Sequence, residues 1–306
     1  MVRALSIADV TPFLLRDRSL VNEARTRDAL GQGKGRPSWL TFLGEWLPRE
    51  KRWHGWVAVD NGRLRGLVAV RDRTGPRAWE LTHFMLAPGE EATGLALLDR
   101  LSQTGAERGV DRVFLRLTSD SPLLEFSRQA NFSFYAEERL YRREGGEHSD
   151  RLPSGAPSLR PRRNEDDFSL FQLYCLAAPT PVRQAEGMTF EDWRQARERR
   201  SKRRAGEWVW ENEGRVQGWL RSTRGRRKVL ELMVYPDDEG TLEALLAFGL
   251  TRFSPGYPVD CLAAHFQNDL RNQLEARGFE AVTDYCLLVK PLAVRVSQPS
   301  LAPIHA

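Results

Sequence analysis

Cysteine is scarce in this 306-residue chain: Cys175, Cys261 and Cys286 are the only three. An odd number, far apart, suits neither a disulfide framework nor a zinc spacing, so a reducing compartment, the cytoplasm, is expected. Lysine is nearly absent. It stands at Lys34, Lys51, Lys202, Lys228 and Lys290, and arginine carries the rest of the basic charge. No run of about 18 apolar residues occurs, which argues against a helical membrane span. The opening stretch MVRALSIADVTPFLLRDR has early acidic residues and no apolar core followed by small residues, so no signal peptide is expected. His54 and His265 lack partners at ligand spacing, and no metal is assigned.

What is present is the balance of a soluble globular protein, 41% apolar and 28% charged, with a net charge of +5. The length admits one large domain or two ordinary ones. The mildly basic balance would suit a phosphate-bearing ligand, whether nucleic acid or a nucleotide cofactor.

Internal similarity decides between one domain and two. Val2-Arg3 with Asp9 matches Leu159-Arg160 with Asp166. WVAVDNGRLRG from Trp56 matches WVWENEGRVQG from Trp208, each a strand pair around a turn dipeptide, Asn61-Gly62 or Glu213-Gly214. Leu81 to Pro88 matches Val229 to Pro236, and Leu123 to Phe132 matches Leu270 to Phe279. The offset between copies drifts steadily downward, as duplication followed by loop shortening produces. The expected organisation is a domain over 1–145, a Gly/Ser/Pro-containing linker over 146–157, a second domain over 158–294 and a tail over 295–306.

Each half reads in one order: a strand (2–7; 159–162), one or two helices (13–30 and 39–47; 168–176 and 190–204), a hairpin, and a strand ending at proline. A helix (93–108; 241–253), a strand (112–117; 259–264), a helix (122–130; 269–277) and a last strand (134–141; 281–289) follow. That is a layered α/β arrangement. With the segments LRPRRNEDDFSLFQLY, GRLRGLV, GRVQGWL, RQANF and EARGF, it resembles the GCN5-related N-acetyltransferase (GNAT) family, once per half. The resemblance implies two tandem GNAT-like domains, each with a mixed, mostly antiparallel sheet flanked by helices.

It also implies an enzyme that moves an acetyl or other acyl group from acetyl-CoA or another acyl-CoA to a small-molecule or peptide amine by direct attack. In that family the cofactor's pyrophosphate rests on backbone amides at a Gly-rich turn after the fourth strand. Here the two turns read PGEEATG from Pro88 and PDDEGT from Pro236, with carboxylates where phosphates should lie. The first keeps more glycine, so the resemblance assigns cofactor contact to Met85, Leu86, Gly89, Ala92, Thr93 and Gly94. The tyrosine that the family often uses as an acid corresponds to Ser127 and Leu274, neither of which can replace it. Strand alternation puts His83 and Glu231 at the same repeat position, and these are the candidate general bases; Glu80 lies on the opposite face.

Two arginine-rich runs, Arg194 to Arg204 and Arg221 to Lys228, support a different expectation. In it the chain is a non-catalytic duplicated scaffold that binds a protein, or RNA, through a basic surface on its C-terminal half. Trp39, Trp46, Trp53 and Trp56, ahead of the first hairpin, suit either core packing or an acceptor cleft. The sequence leaves the oligomeric state open.

Overall fold

Two turns set the register of the molecule. Asn61 and Gly62 have φ of 48° and 70°, and Glu213 and Gly214 have 50° and 74°. Two successive left-handed residues make the type I′ turn, whose twist matches that of the strands it joins. The first turn connects β2 (Trp53–Asp60) to β3 (Arg63–Asp72), and the second connects β8 (Ala205–Asn212) to β9 (Arg215–Thr223). Both hairpins shift register at the same repeat position, between Ala58 and Val59 and between Trp210 and Glu211.

The computed structural model describes residues 2–6, 9, 20–27, 30, 53–73, 77–145, 159–187, 189–199, 205–223, 228–236, 238–253 and 256–293. The N-terminal half continues with β4 (Ala78–Leu86), α1 (Glu91–Glu107), β5 (Arg112–Thr118), α2 (Leu123–Gln129) and β6 (Ser133–Arg143); β1 (Val2–Ala4) opens it. The C-terminal half opens with β7 (Arg160–Pro161), α3 (Asp167–Ala177), α4 (Thr180–Glu186) and α5 (Phe190–Arg199). After β8 and β9 come β10 (Lys228–Val234), α6 (Glu239–Thr251), β11 (Val259–Ala264), α7 (Asn268–Ala276) and β12 (Glu280–Pro291). No helix among the described residues is long and apolar enough to cross a membrane.

The repeat is visible in single bonds. Arg3 pairs with Asp9, which also accepts from the Ser6 amide at 2.9 Å. Arg160 pairs with Asp166 at 2.8 Å, and Asp166 accepts from the Arg163 amide at 2.7 Å. Each aspartate thus ties the opening strand to the turn that follows. α2 and α7 end alike: Phe132 N donates to Ser127 O (3.0 Å) and Phe279 N to Leu274 O (3.1 Å), across left-handed Asn131 and Gly278. Gly66 and Gly218 share one cause. A Cβ there would lie 2.8 Å from Leu97 or 2.6 Å from Leu245, because the leucine of the crossing helix seats directly on the strand.

The twelve strands among the described residues form one sheet, ordered β1-β2-β3-β4-β5-β12-β6-β11-β10-β9-β8-β7. The final strands are exchanged. β12, from the C-terminal half, lies between β5 and β6, with Leu288 opposite Leu115. β6, from the N-terminal half, lies beside β11, with Tyr141 opposite Cys261. Cys286 and Leu288 therefore fill the N-terminal core, and Tyr141 the C-terminal one. The two sequence units are joined into one body and are not separately closed.

Most pairings are antiparallel. The two parallel ones, β4 with β5 and β10 with β11, are short: they end at Glu80 opposite Phe114 and at Leu230 opposite Cys261. Beyond those points each pair parts.

The helix expected through residues 13–30 is a correction. Residues 20–26 are neither helix nor strand, and the rest of that span is outside the described residues apart from Arg27 and Leu30. α4 was not anticipated. The helix expected over 39–47, with Trp39 and Trp46, the linker over 146–157 and the tail over 295–306 lie outside the described residues.

Candidate functional site

The two partings have different contents. In the N-terminal half, residues 20–27 run between β4 and β5. Glu23 N donates to Phe84 O at 3.0 Å, and Arg25 N donates to Arg116 O at 2.9 Å, so one short segment bonds to both strands. Asn22 adds two bonds: Nδ2 donates to Thr82 O (3.0 Å) and Oδ1 accepts from Phe84 N (2.9 Å). Leu20 and Ala24 are buried. The segment meets the backbone groups that parting had stripped of partners, as buried peptide groups require.

This closes the surroundings of the residues assigned from the first copy. Met85 is fully buried in a cluster with Leu20, Val57 and Leu67. His83 is 5% exposed, its Nδ1 is 3.1 Å from Thr82 Oγ1, and Trp53 lies 6.3 Å away between ring centroids. Burial first, and Arg71 second, push its imidazole down to about 4. Leu86 is half-buried. A Cβ on Gly94 would lie 2.8 Å from the Phe126 ring, so this glycine admits helix packing and opens no room for a phosphate. Glu80 is taken by Arg71 at 2.9 Å.

In the C-terminal half the parting opens into a cavity of about 210 Å³. Glu231, Leu232 and Met233 of β10 line one side, and Leu262 and Ala264 of β11 the other. Ala178, Val182 and Glu186 also line it, from a segment with the local backbone bonds Ala178 N to Tyr174 O, Arg183 N to Pro179 O and Gly187 N to Arg183 O. The cavity reaches across the chain. Arg27, Arg73, Tyr135 and Glu138 come from the N-terminal half, and Tyr174, Glu186, Trp193, Glu207, Trp219 and Arg221 from the C-terminal half.

Its charges are paired. Glu231 accepts from Arg27 at 3.0 Å and from Arg221 at 3.2 Å. Glu138 binds Arg116 at 2.7 Å and Arg27 at 3.5 Å. Glu186 accepts from Arg73 at 2.8 Å and from the Tyr174 hydroxyl at 2.5 Å. Burial pulls the Arg27 guanidinium down, but Glu138, Glu231 and Glu186 outweigh it and hold it charged. Burial would raise Glu138, yet Arg116 and Arg27 bring it below the usual carboxylate range. Burial lifts the Tyr135 phenol to about 12, so it remains a hydrogen-bond donor at neutral pH.

The structure therefore separates the two candidate bases. Glu231 lies on the cavity and His83 does not line it. Arg221, counted in a basic surface run, is buried, pairs with Glu231 and lines the cavity. Arg194 pairs with Glu191 at 2.8 Å; residues 200–204 and 224–227 lie outside the described residues. Sequence reading gave no role to Arg27, Arg73 and Glu186, which reach the cavity from distant segments, and took Tyr135, on the last strand of the first copy, as a packing residue.

A nucleotide-bearing thioester fits in part. Leu232, Met233, Leu262 and Ala264 flank a slot suited to a slender, largely apolar arm. The phosphate cradle does not fit. At the start of α6 the Thr241 amide, one of the donors a helix N-terminus would offer an anion, donates to Asp238 Oδ1 at 3.0 Å. At the start of α1 the Thr93 hydroxyl donates to Glu90 at 2.6 Å, and Arg65 pairs with Glu90 at 3.4 Å. Gly89 and Ala92 are exposed beside Glu90 and Glu91. A carboxylate about 4 Å from a phosphate oxygen opposes it by roughly 1 kcal/mol in water and about 4 kcal/mol at a protein surface. Coenzyme A as a whole does not match these residues.

No protein-family model and no curated protein matches the sequence. Solved structures do match. A GCN5-related N-acetyltransferase from Sphaerobacter thermophilus is 16% identical, with 97% of each chain covered and a TM-score of 0.59. A tandem GNAT protein from the clavulanic acid biosynthesis pathway, solved without AcCoA, is 15% identical, with 97% of this chain and 99% of that one covered, and a TM-score of 0.59. A conserved protein of unknown function from Staphylococcus epidermidis is 11% identical over 78% of this chain and 94% of its own, with a TM-score of 0.53. The chain has the GNAT fold, twice in tandem. Its particular form is a duplicated fold with exchanged last strands, one parting filled by its own chain and the other continuing, among the described residues, into a cavity.

Proposed function

We propose that the protein is an acyltransferase of the GNAT type that works through its C-terminal half and acylates a small amine held in the cavity between the halves. One observation carries this reading: the same fold feature, the parting of two parallel strands, is filled by residues 20–27 in one half and continues into a cavity in the other. A filled parting cannot take a ligand arm without displacing its backbone bonds.

The residues have separable roles. Glu231, held on the cavity wall by Arg27 and Arg221, is the group assigned to receive the amine's proton. Trp193, Trp219 and Tyr174 supply aromatic faces, which attract organic cations and shed water around the amine. Tyr135 supplies a neutral hydroxyl donor.

The experiment is turnover of an acetyl thioester with a panel of small amines. Glu231→Gln is expected to lower kcat/KM by about 10²- to 10⁴-fold, the usual worth of a general base, while His83→Gln stays within about twofold. Equal losses in both variants would contradict the assignment.

A non-catalytic binding role is the second reading, favoured by the carboxylates at both helix starts: Asp238 caps the Thr241 amide of α6, and Glu90 stands at the start of α1. Tight binding of an amine with no turnover of any thioester supports it.

A further inference from the structure

We infer that the acyl donor is recognised through its pantetheine arm alone, and that the nucleotide of coenzyme A adds nothing to its affinity. This rests on the C-terminal half being the working half.

The inference comes from what surrounds the exit of the open parting. An arm lying between β10 and β11 leaves it where those strands end, at Val234 and Ala264, just ahead of Tyr235 and Phe266. Both side chains are exposed, 47% and 39%, so the rim presents aromatic surface. Next along the chain is the start of α6. In a phosphate site the free amides of that first turn are the binding groups. Here Asp238 already takes the Thr241 amide, and Glu239 follows it in the first turn. An internal carboxylate thus does what a bound phosphate would do: it satisfies the amide and complements the helix dipole. A phosphate arriving there would have to displace Asp238 and would meet its charge.

The N-terminal half offers no substitute. Its helix start carries Glu90, held by Thr93 and Arg65, and its parting is filled. The slot walls remain serviceable, since Leu232, Met233, Leu262 and Ala264 recognise shape and apolar surface and need no phosphate. The donor class is therefore an acyl-pantetheine thioester, with coenzyme A accepted only as a carrier of the same arm.

Calorimetric titration of the full chain with S-acetylpantetheine and, separately, with acetyl-CoA tests this by binding rather than by turnover. The expected result is that acetyl-CoA binds no tighter than S-acetylpantetheine, and that neither weakens as salt rises from 50 to 500 mM. Asp238→Asn keeps a capping oxygen but removes the charge, and is expected to tighten acetyl-CoA several-fold while leaving S-acetylpantetheine unchanged. Acetyl-CoA binding 30-fold or more tighter than S-acetylpantetheine, with strong salt dependence, would overturn the inference and leave the acyltransferase reading standing. Failure of both ligands to bind at millimolar concentration would overturn that reading, and the inference with it.

Discussion

Glu213 shows how far single residues reveal the plan. It holds φ of 50° in the second hairpin turn, where the first copy has Asn61 at 48°. Asparagine tolerates this region better than glutamate. Glu213→Asn is therefore expected to stabilise the protein by about 0.5 kcal/mol, read as a shift in denaturant midpoint without a change in slope. The turn was legible because its chemistry is local. His83 was legible as an ionisable residue on β4, but its environment was not. Its unfolded-state pKa is about 6.5, and the buried imidazole sits near 4. Between those values the unfolded chain binds more protons, so stability falls as pH drops from 6.5 towards 4. The loss amounts to roughly 2 kcal/mol between pH 7 and pH 5, and unfolding of His83→Gln should lack that part of the pH dependence. Glu231 shares the repeat position, and it gained its surroundings from Arg27, 204 residues away. No local pattern encodes that pair.

At the scale of elements, the hairpins, the crossing helices and the last helix of each half followed from turn residues and 3.6-residue periodicity. α1 buries Gly94, Leu97, Leu98, Leu101 and Gly105 along one face, as that spacing requires. The recurrent glycine of β3 and β9 is a packing feature. Gly218→Ala puts a methyl 2.6 Å from Leu245 and is expected to cost about 1–3 kcal/mol in a denaturant titration. The segment over residues 20–27, LVNEARTR, misled because Leu, Glu, Ala and Arg favour helix. Tertiary demand overrode that preference: the parting of β4 and β5 exposes backbone groups, and irregular chain satisfies them on both sides. Asn22→Ala removes both side-chain bonds to β4. Hydrogen exchange of the Phe84 amide, which donates to Asn22, should then speed up by tenfold or more, with α6 and β10 unaffected.

At the scale of the whole molecule, duplication was legible and strand exchange was not. Sequence similarity aligns β6 with β12, and either could in principle close either half. What decides between them is pairing across the midline, which leaves no periodic trace. Because β12 sits between β5 and β6, neither core is complete without the other half's strand. Calorimetry should therefore show one cooperative unfolding transition with equal calorimetric and van't Hoff enthalpies, and two resolved transitions would count against the exchange. The proposed function rests on the same asymmetry within symmetry: one parting is occupied by the chain, and the other continues into a cavity. The most direct test of that claim is a crystal structure of the full chain with S-acetylpantetheine. The account predicts one ligand per chain, between β10 and β11 with its acyl end towards Glu231, and residues 20–27 still bonded to Phe84 and Arg116. A ligand between β4 and β5, with residues 20–27 displaced, would contradict it.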